Sequence, residues 1–513
     1  MSQEFQSERF AENSRRALKD VQLRSALDNA LAKVTVARRA SVAGVGDEWQ
    51  RLRDRAREVK EHTVGHLDYY LSEFAANVER QGGRVCWARD AAEANRYVAA
   101  LARERGVTLA VKGKSMMTEE IGLNPAMAAA GVEMVETDLG EYIIQLAGER
   151  PSHINIPAVH KSRADVARLF SEKLGAERTD EIAEMTALAR RVLRERFAAA
   201  GMGVTGVNFA VAETGTIVLV ENEGNIRMTT TLPRVHVAVM SIEKVIPRFE
   251  DLEVFLPLLT RSASGQKMCS YVSFLTGVRQ SPADEGADEF HVVILDNGRV
   301  QMLSDPHLRE SLYCIRCGAC LNTCPVYHKI GGHAYGWVYP GPIGAVLTPQ
   351  LIGRRRAADL PFASSLCGAC RDVCPIKINI PDMLLHLRRE IKEPAADSPA
   401  RDAPATGLGR RFTRRAERAA FGLWAAVLKT APRYRRATGL IRFAQRLLTA
   451  TGVSRRLASV LARHDATRHL PPPLAARPFR EQWPEIAKAG EKPEATRAGE
   501  TAGEASNSVA GLL

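Results

Sequence analysis

Seven of the nine cysteines fall between Cys314 and Cys374. They are arranged as Cys314-x2-Cys317-x2-Cys320-x3-Cys324-Pro325 and then Cys367-x2-Cys370-x3-Cys374-Pro375. Such crowding of thiols in a reducing compartment points to metal binding rather than to disulfides. Soft thiolates suit iron–sulfur clusters. Three of them on a tight turn can wrap three irons of one cubane, while the fourth, before proline, points away and ligates the neighbouring cluster. Crossed pairing then gives Cys314, Cys317, Cys320 and Cys374 to a first [4Fe-4S] cluster, and Cys324, Cys367 and Cys370 to a second. The second run matches the end of the first, with Ser364 where its missing cysteine would stand. Its fourth ligand stays open among three readings. Ser364 or Ser365 supplies an oxygen, Cys269 reaches in, or the iron is open to solvent or a partner, or absent. Zinc sites usually show two separated Cys-x2-Cys pairs, which these runs are not. Gly318 stands where the backbone must approach the cluster closely. Paired clusters imply electron transfer, with potentials set by burial, charge and hydrogen bonds to sulfur. Cys86 and Cys269, outside the runs, read as inert buried thiols.

Other residues carry weaker signals. Lys112-Gly-Lys114-Ser115 follows a strand-like run, and its lysines could hold a carboxylate or phosphate, although the loop lacks the glycine framework of a P-loop. Glu213, Thr214 and Thr216 lie between two β-rich runs and are candidates for a substrate pocket; a tight turn explains them equally. His153 could take the hydroxyl proton of a 2-hydroxy acid. Like His160, it sits in a proline-bearing stretch where structural histidines are common. Gly201-x-Gly203-x-x-Gly206 has the form of a dinucleotide fingerprint, but a helix precedes it and a strand follows, the reverse of the required context. It reads instead as a helix cap and turn. No flavin or nicotinamide motif stands out.

Elements must position these groups. Residues 1–60 predict an N-terminal helical segment, rich in Ala, Leu, Arg and Glu and free of proline. Residues 61–300 predict a mostly parallel α/β domain. Within it, GGRVCWA, VTLAVKGKS and FHVVILDNG read as strands. DAAEANRYVAALARERG reads as a helix capped by Asp90, TEEIGLNPAMAAAG as a helix capped by Thr118, and VEMVETDLGEYIIQL as two strands or a strand and turn. Residues 301–390, rich in Cys, Gly and Pro, predict a small α-helical ferredoxin-type two-cluster domain. Residues 391–408 read as a linker, 409–484 as basic helices ending near Pro471–Pro473, and 485–513 as a disordered tail.

The formal charge is +12, but residues 401–480 alone hold 18 Lys+Arg against 3 Asp+Glu, so the rest of the chain is slightly acidic. With no nucleic-acid reader motif, this local charge argues against a nucleic-acid partner. Phe421, Trp424 and Leu428 recur at helical spacing among basic residues, which suits packing on a partner or peripheral contact with an anionic membrane. No run is long enough for a transmembrane segment. The opening residues lack the apolar core of a secretory signal, so a cytoplasmic protein is expected, with contact at the inner membrane face as an option.

The cysteine runs, SLCGACRDVCPIKINIP and the α/β region together resemble the lactate utilisation protein B family. VKGKSMMTEEIGLN, ETDLGEYIIQL, PSHINIPAVH and NFAVAETGTIVLVENEGNIRMTTTLPRVHV add to the resemblance, which covers about residues 15–480. It implies a sugar-isomerase/CoA-transferase-like α/β fold and two four-iron clusters, the second with three cysteines as here. It also implies an iron–sulfur subunit oxidising L-lactate to pyruvate with two partner subunits, for growth on lactate. The chain is then a component of an L-lactate dehydrogenase complex rather than a stand-alone enzyme, with its electron acceptor unspecified. The alternatives are a subunit of another 2-hydroxy-acid or thiol–disulfide oxidoreductase, and a non-catalytic redox sensor or scaffold.

Overall fold

Short runs dense in Val and Ile, each closed by a polar loop, become the strands of the protein. The computed structural model describes residues 5–281, 283–393, 419–450, 475 and 477–490. The chain divides into two compact units, 1–404 and 405–513. In chain order the strands are β1 (Arg84–Ala88), β2 (Leu109–Lys112), β3 (Glu133–Glu136), β4 (Met202–Thr205), β5 (Phe209–Val211), β6 (Thr216–Glu221), β7 (Val235–Ser241), β8 (Val245–Ile246), β9 (Tyr271–Leu275) and β10 (Glu289–Leu295). Six of them form an all-parallel sheet in the order β1-β10-β7-β4-β2-β3. Every residue of β7 is buried, as expected of a parallel strand covered on both faces. The other four form a mixed sheet, β8-β5-β6-β9.

Local sequence decides most elements, and tertiary packing corrects three readings. The expected helix TEEIGLNPAMAAAG is two helices, Met116–Ile121 and Leu123–Ala129, broken where Gly122 takes a left-handed φ of 65°. Its cap is Ser115, whose hydroxyl accepts from the Thr118 amide, and Thr118 lies inside the helix. The expected strand through GEYIIQL is the helix Leu139–Ala147. Asp138 caps it by accepting from the Glu141 amide, and Tyr142, Ile143 and Ile144 are buried, so a cap and a core face outweigh β-branched propensity. The glycine fingerprint is not a cap and turn, because its centre is β4 itself. A Cβ on Gly203 would lie 1.9 Å from the Thr229 carbonyl oxygen, so glycine there lets the helix Asn225–Thr231 pack on the sheet.

The first sixty residues do not stand apart. The helix Val21–Ala43 buries Leu27 and Leu31 in the same apolar core as Phe74 and Phe255 of the α/β region and Tyr327, Tyr335 and Leu347 of the cysteine region. The unit 405–513 is helical at 419–428, Ala431–Ala450 and Phe479–Gly490, with Phe421, Trp424 and Leu428 exposed. Residues 485–490 are therefore helical where the sequence suggests disorder. The remaining tail, the linker from 394 onward and Pro471–Pro473 lie outside the described residues. No helix among the described residues is long and apolar enough to cross a membrane.

Candidate functional site

The two cysteine runs fold into near-copies. Arg316 and Gly318 flank Cys317 with φ of 60° and 74°, and Leu366 and Gly368 flank Cys367 with φ of 55° and 85°. Left-handed residues are costly for Arg and Leu, but they turn successive amides toward one point, as anion-binding nests do. The Arg316 amide donates to Cys314 Sγ at 3.4 Å. In the second loop the Leu366 amide donates to Ser364 Oγ at 3.1 Å. The oxygen of Ser364 thus takes the position that the sulfur of Cys314 takes in the first copy. Gly318 is pressed from outside, since a Cβ there would meet Asn155 Nδ2 at 2.9 Å and His153 Cε1 at 3.2 Å.

Chain folding brings distant cysteines together. Cys314, Cys317, Cys320 and Cys374 line one small cavity with Ile315, Ile343 and Ile376. Cys324 and Cys370 instead lie within electrostatic range of Cys367. Burial pushes the thiols up, Cys370 to about 12 and Cys374 to about 11, and raises Cys317 and Cys320 well above the ordinary thiol range. Amides of Ala319, Ile343 and Ile378 nevertheless donate toward Cys317, Cys320 and Cys374. Sulfurs converging in an apolar cradle under backbone donors suit a cationic cluster that takes them as thiolates, and fit iron–sulfur chemistry.

A collar of cations surrounds the first group, and the sequence carries no motif for it. Arg53 donates to the Cys374 carbonyl at 2.8 Å and to the Asp372 carbonyl at 2.9 Å, and Arg38 donates to the Val373 carbonyl at 2.9 Å. Lys60 is buried with its ammonium on the Glu243 carbonyl, and burial lowers its pKa to about 7. Lys244 and Arg316 both feel Cys314. These residues come from three regions of the chain and meet only in the fold.

A buried ion network joins the α/β sheet to the cysteine loop. Arg299 pairs with Glu120 at 2.7 Å and with Glu243 at 2.9 Å, and Glu243 pairs with Arg316 at 3.1 Å. Tyr339 donates to Glu120 at 2.7 Å, and Arg316 lies over the Tyr339 ring. Burial opposes ionisation of Glu243, but Arg299 and Arg316 more than offset it and hold its carboxyl at about 2.

The pocket candidates do not meet. His153 is buried, and its Nδ1 accepts from the Asn155 and Ile156 amides at 3.0 and 3.1 Å, so Nε2 carries the proton donated to Asn322 Oδ1 at 2.9 Å. Burial lowers its pKa to about 4, and the ring clamps loop 153–156 onto the cysteine region instead of offering a base. His160 pairs with Glu149 at 2.7 Å. Exposed Glu213 accepts from the Phe249 amide, while Thr214, Thr216 and Thr276 bond one another. Lys112 is buried against Glu136 at 2.8 Å and Glu119 at 3.2 Å, and so is committed within the protein. Lys114 instead lines a cavity of about 340 Å³ together with Asn208, Lys244, Cys269 and Arg316. Cys269 therefore faces this cavity, near Glu221. Cys86 is half-buried on β1.

Comparison with known proteins agrees with this division. The LUD domain family matches residues 71–295, and the 4Fe-4S dicluster domain family matches residues 310–378. Lactate utilization protein B of Macrococcus caseolyticus (strain JCSC5402) is 46% identical over 400 residues, covering 78% of this chain and 83% of that protein. Lactate utilization protein B of Shouchella clausii (strain KSM-K16) is 45% identical over 385 residues, covering 75% and 81%. An uncharacterized electron transport protein of Escherichia coli (strain K12), YkgF, is 45% identical over 384 residues, covering 75% and 80%.

Proposed function

The chain belongs to the lactate utilization protein B family, and from that membership we propose that it relays the electrons released when L-lactate becomes pyruvate through two [4Fe-4S] clusters. Its role in lactate utilization is iron–sulfur electron transfer, as part of a multi-protein system. In the proposal Cys314, Cys317, Cys320 and Cys374 hold the first cluster. Cys324, Cys367 and Cys370 hold the second, whose fourth corner faces Ser364. Each cluster, when bound, takes up and gives back one electron at a time. Around the first four sulfurs Arg38, Arg53, Lys60, Lys244 and Arg316 supply positive charge that stabilises an added electron. Ile315, Ile343 and Ile376 keep water from the same sulfurs. The chain acts in the cytoplasm beside two partner subunits rather than as a stand-alone enzyme.

The observation that carries this reading is the meeting of Cys374 with Cys314, Cys317 and Cys320 across the two loops. The test is iron and acid-labile sulfide per chain, with EPR spectra before and after reduction, on anaerobically purified protein. About eight of each, with two interacting reduced signals, is expected for two cubanes. Cys317→Ser should remove the first signal and leave the second. Little iron with stoichiometric zinc overturns the reading.

A further inference from the structure

The smaller unit carries a surface that electron transfer leaves unused. The sequence from 418 to 464 holds ten Lys and Arg and no Asp or Glu. Two helices of this stretch are described, 419–428 and Ala431–Ala450. In the first, Phe421, Trp424 and Leu428 fall at i, i+3 and i+7, one stripe of an α-helix, and are 64%, 64% and 53% exposed. In the second, Ala437, Leu440, Ile441 and Ala444 share a face by the same spacing, with Leu440 70% and Ile441 55% exposed. Arg435 and Arg442 lie opposite that face, and Arg433 and Arg436 stand in the first two turns.

Apolar side chains exposed as a stripe mark a surface that is covered in use. Neither helix is long and apolar enough to cross a bilayer, so a stripe of this kind lies on a surface instead of passing through it. Charge decides which surface. Five cations, Lys429, Arg433, Arg435, Arg436 and Arg442, accompany the two stripes, and 419–445 contains no carboxylate side chain to neutralise them. Anionic headgroups supply the missing charge while acyl chains take the stripe, and long Arg and Lys side chains reach from one to the other. A nucleic acid would meet the cations through its phosphates but would leave Phe421, Trp424 and Leu440 in water. The helix Phe479–Gly490 of the same unit shows the contrast. It exposes Phe479 and Trp483, at 65% and 53%, but Glu481 and Glu485 balance Arg480 and Lys488, so an anionic surface has no net charge to attract.

We propose that residues 419–445 form a docking surface for an anionic lipid bilayer, with Phe421, Trp424, Leu428, Leu440 and Ile441 at the acyl boundary and the five cations among the headgroups. The inference goes beyond the electron-transfer reading and does not depend on it, since every proposed cluster ligand lies in the larger unit, 1–404. Both units belong to one chain, so lipid binding keeps the electron relay at a membrane face. The contact is peripheral and reversible. It weakens as salt rises, because surface charges are screened over about 8 Å at physiological ionic strength.

The test is co-flotation of the full iron-loaded chain with vesicles of phosphatidylcholine alone, and with vesicles of three parts phosphatidylcholine to one part phosphatidylglycerol. The mixed vesicles should carry the chain and the neutral ones should not, and added salt should release it. The double variant Arg435→Gln, Arg442→Gln should weaken binding roughly tenfold or more, the loss of two cations near the headgroups. Phe421→Ser with Trp424→Ser should weaken it at least about tenfold through lost apolar burial. Iron content and EPR signals should be unchanged in both. In the unaltered protein, mixed vesicles should slow amide hydrogen exchange within 419–445 and leave 314–374 as it was; this arm does not depend on any variant folding. No flotation with mixed vesicles, or no slowing within 419–445, overturns the inference. Equal flotation with neutral vesicles overturns the anionic assignment. Binding lost in the arginine variant but kept in the aromatic one overturns the lipid assignment in favour of a general polyanion site. Slowing within 419–445 by another protein of the lactate utilization system, with vesicles inert, overturns it in favour of a protein partner. Each of these outcomes leaves the electron-transfer reading standing, because that reading fails on iron content and EPR signals instead.

Discussion

Ser364 and Cys314 occupy matching places in two copies of one loop, each accepting from the amide two residues on. A serine oxygen is a harder ligand than a thiolate and binds iron of a sulfur-rich cluster less firmly. In the two-cluster arrangement proposed above, with Ser364 at the fourth corner of the second cluster, that cluster is expected to be the more labile. Ser364→Cys should slow iron loss during brief exposure to air, and Ser364→Ala should hasten it, followed as iron per chain and as growth of a three-iron EPR signal. Equal loss from all three proteins would remove Ser364 from the coordination sphere. The histidine candidates teach the opposite lesson. His153 has a chemistry suited to proton transfer, yet its ring atoms are spent on two amides and Asn322, and its burial keeps it neutral.

At the scale of elements, the cysteine loops are held by what packs across them. The helix Glu48–Gly65 sends Arg53 and Lys60 to the Cys374 and Glu243 carbonyls, and the Glu120–Arg299–Glu243–Arg316 network binds sheet to loop. Arg299 is the centre of that network, and removing it leaves Glu120 buried without a counter-charge and Glu243 with Arg316 as its remaining ion pair. Arg299→Met should lower unfolding stability by about 3–5 kcal/mol, the usual cost of breaking a buried pair on one side. Chemical denaturation of the iron-loaded protein measures it. Adding Glu120→Gln should recover part of the loss, because one stranded charge is gone. A stability within about 0.5 kcal/mol of the parent would mean that the network does not hold the joint.

At the scale of the larger unit, one apolar core runs from the N-terminal helices through the second sheet into the cysteine region. The two family matches, 71–295 and 310–378, therefore mark ancestry more than independent bodies. A cavity between sheet and cysteine loop follows from that fusion, since each side supplies part of its wall. The functional reading places the oxidation of lactate in an assembly. L-lactate should leave the clusters of the purified chain oxidised, and should reduce them once the other proteins of the lactate utilization system are added, with the loss of visible absorbance as readout. Rapid reduction of the isolated chain by lactate would show that it needs no partner, and glycolate acting in place of lactate would change the substrate.

The sequence by itself determined the iron–sulfur chemistry, because cluster ligation uses a few cysteines at short fixed spacing, a pattern local enough to be written in one line. It also determined the parallel α/β class, through buried Val and Ile runs alternating with capped helices, and the family, through several extended stretches. It misjudged Thr118 and GEYIIQL, where caps and burial a few residues away outweigh intrinsic preference. Only the tertiary structure decided the rest. The collar of Arg38, Arg53, Lys60, Lys244 and Arg316 has no common motif, and Glu213, polar and close to Gly215, is not among the residues that line the cavity and accepts instead from the Phe249 amide. Whether a lysine is spent in an ion pair with carboxylates, like Lys112, or set beside a cysteine loop, like Lys244, depends on which groups long-range packing brings close to it, since Coulomb attraction in a poorly solvated interior falls with distance.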